Sequence, residues 1–228
     1  MNTSSDLARS WADLPRGARA AIERQWAGVA AGALPCGAAV VDAAGQVVAA
    51  GRNHAYDVRG DPASLLRYPL QHCRVAHAEL NALALVSTDL DHTLLTLWST
   101  QHPCAMCAAA AQFVGIGRVC FIADDPSDHS PPEVVAARRG NVAYERLARP
   151  LWPTACNLLF LYTSAVLRGA EGANLQSNRD RYPELVRLTL EIARDDHLGK
   201  LARSGTSLVD ALQAHCSAIA RIAEAKRA

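Results

Sequence analysis

Apolar residues return at helical spacing after Pro15: Ile22, Trp26, Val29, Ala30 and Ala33 fall on one side, which predicts an amphipathic helix over 16–33. The run CGAAVVDAAGQVVAAG at 36–51 changes period and predicts two short strands joined at Ala44-Gly45, a hairpin with glycine in its turn. Residues 53–76 carry Gly60, Pro62 and Pro69 among charges and read as a long loop. A helical pattern resumes over 77–87 through Leu80, Leu83 and Leu85. Leu94 to Ser99 reads as a buried strand, Pro103 to Val114 as an alanine-rich helix, and Arg118 to Ala123 as another strand.

Strands alternating with helices predict a parallel-type sheet between helical layers, an α/β chain of three-layer α/β/α build. The character changes after Asp125-Pro126. Residues 131–168 read as helical, interrupted at Pro150 and Pro153. From Glu184 onward two more helices are expected. The last starts at Ser207, where Asp210 offers a reciprocal cap, and Leu208, Leu212, Ile219 and Ile222 share one face. The expected division is a main domain over 10–168 and a helical extension over 169–228 that serves as a packing or dimer-forming surface.

The composition narrows the function. Of 228 residues, 23 are Lys or Arg and 22 Asp or Glu. A nucleic-acid binder generally carries a basic surplus to neutralise phosphates, so this balance favours a small-molecule substrate. No apolar run approaches a membrane span, and the start of the chain lacks the pattern of a signal peptide. The seven cysteines are scattered and odd in number, which suits metal ligands or buried apolar groups in a reducing, cytoplasmic setting.

Two words carry chemistry: HAE at 77–79 and PCAMC at 103–107. A catalytic zinc takes three protein ligands and keeps one position for water. His77, Cys104 and Cys107 supply three. Cys-x-x-Cys at a helix start puts both sulfurs on one turn, where the positive helix end favours thiolates. Pro103 suits the helix start, where a missing N–H costs nothing. Glu79, two residues past His77, does not share its helical face and is better placed to move protons at the attacking water than to ligate.

HAE followed 24 residues later by PCAMC resembles the cytidine deaminase superfamily of zinc-dependent deaminases. GRNH at 51–54, LLTLWST before PCAMC and GIGRVCFIADD at 115–125 are similar to the branch containing guanine deaminase and the tRNA adenosine deaminases. The resemblance covers about residues 16–126. It implies a sheet of about five strands, zinc on His77, Cys104 and Cys107, Glu79 as proton shuttle, and Asn53 as a hydrogen-bonding partner of the substrate ring. With Ala78, His102 and Asp124 it makes the expected substrate-binding set. The chain departs from the branch at His102, where relatives often have Glu, and in the length of the 54–76 loop. The riboflavin-pathway deaminases share the core but space their second cysteine pair more widely.

The implied activity is hydrolytic release of ammonia from an amino-substituted nucleobase, nucleoside or related heterocycle, leaning to purines, by a homodimer. The alternatives are an RNA adenosine deaminase, which near-neutral charge disfavours, and a zinc-stabilised module without catalysis. Cys73, four residues before His77, would complete a closed Cys3His structural site in that last case. Asn53 stands equally as a turn residue. His54 and the Asp124-Asp125-Pro126 turn read as structural by default, and Tyr68 in the long loop is a further candidate to stack on a flat ring.

Overall fold

The structure, a computed structural model, describes residues 3–57, 69–149 and 151–225. The expected hairpin forms as β1 (Gly37–Val41) and β2 (Val47–Arg52), turning through Gly45 at φ 74°. With β3 (Thr96–Gln101), β4 (Arg118–Ala123) and β5 (Ala143–Arg146) they make one five-stranded sheet in the order β2-β1-β3-β4-β5. β3, β4 and β5 run parallel, whereas β1 is antiparallel to both β2 and β3. The sheet is therefore mixed rather than parallel-type, because a tight hairpin turn returns the chain antiparallel.

Helices cover both faces. α2 (Arg16–Ala31) and α6 (Leu151–Arg168) lie on one face, and α3 (Ala78–Leu83) with α4 (Ala105–Val114) on the other. Each face has its own apolar cluster. Ala38, Val40, Leu97 and Val119 pack beneath Ala78, Ala82 and Ala111 of α3 and α4. Ile122 and Ala123 of β4 join Ile22, Trp152, Leu158 and Leu159 on the opposite side. The close packing depends on glycine at Gly37, where a Cβ would meet Ala21 O of α2 at 2.0 Å.

Three expectations are corrected. A helix not foreseen, α1 (Thr3–Ala12), precedes α2 and seats Leu7 in the larger cluster. The stretch expected to be helical over 131–168 holds α5 (Pro132–Ala137), then β5, then α6. β5 hides from a periodicity reading because it is a four-residue edge strand with exposed Ala143, Glu145 and Arg146. Instead of two helices after Glu184 there are α8 (Pro183–Ala193), α9 (His197–Arg203), α10 (Leu208–Leu212) and α11 (Cys216–Ala225), after a short α7 (Ala173–Gln176). Backbone reversals cause the breaks, at Asp196 with φ 50° and Gly205 with φ 80°. One half of the reciprocal cap expected at Ser207 forms, its Oγ accepting from Asp210 N–H at 3.2 Å, while the Asp210 carboxylate accepts from the Ser207 hydroxyl at 2.6 Å.

The apolar stripes of these late helices are used inside the chain. Leu185, Val186, Ile192, Leu208, Leu212, Ile219 and Ile222 share one cluster with α1, α2 and α6. Trp26 Nε1 of α2 donates to Thr206 O at 3.0 Å, and Tyr162 of α6 donates to Asp196 at 3.2 Å. No helix among the described residues is long and apolar enough to cross a membrane. Leu185 is fully buried. Leu185→Ala should therefore remove about 2–5 kcal/mol and lower the midpoint of one cooperative transition read by circular dichroism. Two transitions, only one of them shifted, would show that residues 169–228 fold as a separate unit.

Candidate active site

His77 is the N-cap of α3 and Cys104 the N-cap of α4, both with extended backbone, and Cys107 lies one turn into α4. Pro103 stands immediately before the α4 cap. Two constraints bring these starts together. Gly51 of β2 lets α3 approach so closely that a Cβ there would lie 2.7 Å from Ala78 O and Ala82 N. Asn81, fully buried on α3, donates to Arg52 O at 3.2 Å and accepts from Leu70 N–H at 3.0 Å, tying the helix to the end of β2 and to the following loop.

The resulting triangle is regular. His77 Nδ1 lies 3.6 Å from Cys104 Sγ and 3.6 Å from Cys107 Sγ, and the two sulfurs are 3.7 Å apart. A tetrahedral zinc with bonds of about 2.3 Å to sulfur and about 2.0–2.1 Å to nitrogen has edges of about 3.8 Å between sulfurs and about 3.6 Å between sulfur and nitrogen. The three donors thus form one face of the tetrahedron zinc requires, with the fourth vertex left to a non-protein ligand. Among the described residues these three are the group that could hold a metal ion. Cys73 is exposed and stands outside it, so the closed Cys3His arrangement does not form.

Glu79 is buried beside the triangle. Its Oε1 accepts from Ser99 Oγ at 2.9 Å, and its Oε2 lies 3.4 Å from Cys107 Sγ. Burial pushes its carboxyl pKa up, and the neighbouring Cys104 adds to the shift. The Cys104 thiol is drawn down to about 4, first by its hydrogen bond with Cys107 and then, against burial, by the one with His77. Cys107 is pushed up by that same bond and by its burial. His77 is raised by the Cys104 contact despite its own partial burial. The sulfurs and the imidazole therefore hold shared protons where a divalent cation would displace them.

Asn53 is buried at the end of β2, with its N–H donating to Cys36 O at 3.0 Å and its Oδ1 accepting from Ala55 N–H at 2.9 Å, the geometry of a turn residue. The turn is braced by Asp57, which pairs with Arg52 at 2.7 Å and with His54 Nδ1 at 2.9 Å. Against the opposing effect of burial, these hydrogen bonds hold the Asp57 carboxyl down at about 2. Ala78 is buried behind His77. His102 is also buried, its ring edge-on to Phe121 at 4.6 Å and stacked on Tyr144 at 5.4 Å. Asp124 is half exposed and pairs with Arg146 at 3.3 Å. Its neighbour Asp125 is the carboxylate coupled to Glu79 and Cys104; burial first, and those charges after it, push its pKa up to about 6. Tyr68 lies outside the described residues.

Ser99 is the site residue that motif spacing missed. The signal for it was the alternation of β3, which puts Ser99 on the same face as Leu97, the one under α3.

Residues 14–123 match the family described as the cytidine and deoxycytidylate deaminase zinc-binding region. The match spans just under half of the chain and is consistent with the cytidine deaminase superfamily. Among solved structures, a mutant protein in complex with 8-azaguanine shares the fold, with a TM-score of 0.51 and 24% identity over 67% of this chain and 85% of that one. A guanine deaminase from Nitrosomonas europaea matches at 25% identity over 66% and 85% of the two chains, with a TM-score of 0.48. A tRNA deaminase that performs A-to-I editing at the wobble position matches at 23% identity over 56% and 93%, with a TM-score of 0.43. No curated protein matches the chain significantly.

Cys104→Ala and Cys107→Ala should each lose most of the roughly one zinc expected per chain by plasma emission spectrometry. Cys73→Ala should keep it. Zinc retained in full by both of the first two variants would refute the assignment.

Proposed function

We propose that the chain is a zinc-dependent hydrolytic deaminase that releases ammonia from an amino-substituted nucleobase, nucleoside or related heterocycle, with purines as the leading class. The observation that carries this reading is the triangle of His77, Cys104 and Cys107 at tetrahedral zinc edges with a buried carboxylate beside it. Zinc bound there supplies a Lewis acid that makes water nucleophilic near neutral pH.

Glu79 does the proton work. Buried beside the triangle, its carboxyl is placed to accept and donate protons there. It takes one proton from the attacking water and delivers it to a ring nitrogen, then takes the second from the hydroxyl now on the ring carbon and passes it to the departing amine, so that ammonia leaves as the carbonyl forms. Ser99 fixes Oε1, which leaves Oε2, on the Cys107 side, as the working atom. The substrate ring is held by Asn53, through its amide nitrogen, together with Ala78, His102 and Asp124 of the surrounding wall. The near-equal count of basic and acidic residues favours a small-molecule substrate over RNA.

The protein works as a homodimer in this reading. The late helical stripes are already buried within one chain and no longer call for a second copy. Support comes instead from exposed apolar side chains, Phe113 on α4 at 93% exposure and Leu94 before β3 at 60%. Light scattering at micromolar concentration should give about twice the 24.3 kDa chain mass, and the mass of one chain would refute the dimer.

A panel of nucleobases, nucleosides and nucleotides assayed for ammonia identifies the substrate. On that substrate Glu79→Gln should keep its zinc and lose at least about 10²–10⁴-fold in turnover, because glutamine hydrogen-bonds but cannot accept and return a proton. His77→Ala should lose metal and activity together. Turnover of Glu79→Gln within about tenfold of the parent would rule out the shuttle mechanism.

A further inference from the structure

A second concave site lies where the C-terminal helices meet the sheet, at the carboxyl ends of β4 and β5. It is a cleft of about 610 Å³ that contains none of the zinc triangle and shares only Asp124 with the substrate wall proposed for that site. Open α/β sheets bind ligands at this end of their parallel strands, and the volume falls within the range of small-molecule pockets.

Its polar groups converge from four elements. Asp124 follows β4, Arg146 ends β5, Thr154 and Asn157 come from α6, and Tyr182 caps α8, with exposed Arg149 on the segment before α6. Two arginines, Arg146 and Arg149, and one carboxylate, Asp124, thus line the cleft. The 3.3 Å contact of Arg146 with Asp124 orients its fork. Thr154 and Asn157 are buried at the floor, and Asn157 Oδ1 is held by Gln101 Nε2 at 3.5 Å, which leaves its amide N–H groups as donors for a ligand. The Tyr182 ring stands at the wall, with the Arg181 guanidinium 5.0 Å from its centroid, so a third cation adds to the local field.

We propose that this cleft binds a phosphate monoester carried on a hydroxylated scaffold. Arginine recognises phosphate through paired N–H groups, and two arginines suit its double charge. Asp124 and the floor of Thr154 and Asn157 supply an acceptor and mixed donors for hydroxyl groups, and Tyr182 offers a ring face to the sugar carbons. The ligand is a sugar phosphate, either free or as the phosphosugar half of a nucleotide. The C-terminal helices then have a chemical as well as a packing role, because Tyr182 belongs to them.

Isothermal titration calorimetry of the full chain with ribose 5-phosphate tests this independently of zinc and of turnover, since that probe has no heterocycle for the zinc site. Saturable binding at least tenfold tighter than that of ribose is expected. Arg146→Ala and Arg149→Ala should each weaken it about tenfold or more, while Arg187→Ala, on the exposed side of α8, should leave it unchanged. Adenosine 5′-monophosphate binding more tightly than ribose 5-phosphate, with the same loss in the arginine variants, would assign the nucleotide as source; equal binding would assign the free sugar phosphate. Ribose 5-phosphate binding no better than ribose, or binding unaltered in an Arg146→Ala, Arg149→Ala double variant, would overturn the proposal.

Discussion

Between β2 and α3 there is no room for a side chain: a Cβ on Gly51 would sit 2.7 Å from two backbone atoms of the helix. His77 caps that helix, so its imidazole is placed by how closely α3 lies on the hairpin. Cys104 and Cys107 are placed separately, by the end of β3 and the start of α4. A triangle with edges of 3.6, 3.6 and 3.7 Å tolerates little drift between the two helices. The hairpin, remote in sequence from the ligands, therefore governs the metal site. Asn81 reinforces the same joint by bonding Arg52 at the hairpin's end.

Much of this was legible in the sequence, for reasons that differ by element. HAE and PCAMC were readable because metal chemistry restricts both residue type and spacing, and cap positions restrict the backbone around them. The hairpin was readable because its turn needs glycine at Gly45, where φ is positive. β5 was not readable, because AYER at an exposed edge carries no alternation that burial would impose. The breaks among the late helices were hidden for a different reason. Asp196 stands in a left-handed backbone with its carboxylate taken up by Arg203 at the end of α9 and by Tyr162, a partner 34 residues back along the chain that no local pattern announces. Ser99 is the same case at the site: its value lies in the 2.9 Å bond to Glu79 across two elements.

The division between a catalytic part and an extension also looks different once packing is visible. Leu185, Leu208, Leu212 and Ile219 share one cluster with Ile22 of α2 and Leu158 of α6, the helices that support the sheet from the face opposite the zinc triangle. A polar thread runs through the same layer. Gln25 of α2 donates to Pro35 O at 2.8 Å and to Cys156 O of α6 at 3.0 Å, while Gln101 at the end of β3 reaches Cys156 O at 3.3 Å. Gln101 stands just before His102-Pro103-Cys104. The late helices thus bear, through α6, on the strand end that delivers two of the three zinc donors.

Electrostatics gives the site its remaining constraint. Glu79, Asp125 and the two thiols are crowded within one partly buried region, where charges of one sign raise one another's pKa. Burial first, with the like charges adding to it, pushes Glu79 and Asp125 up; the hydrogen bond with Cys104 and then burial push Cys107 up; and Cys104, held by hydrogen bonds with Cys107 and His77, is drawn down. Apolar packing could not offset such a concentration of acids, and His77 alone brings at most one positive charge. A dication at the triangle would satisfy both sulfurs and lower the cost of keeping Glu79 ionised next to them. The carboxylate would then remain basic enough to take a proton yet be bound closely enough to return it, which is the balance a single-residue shuttle needs.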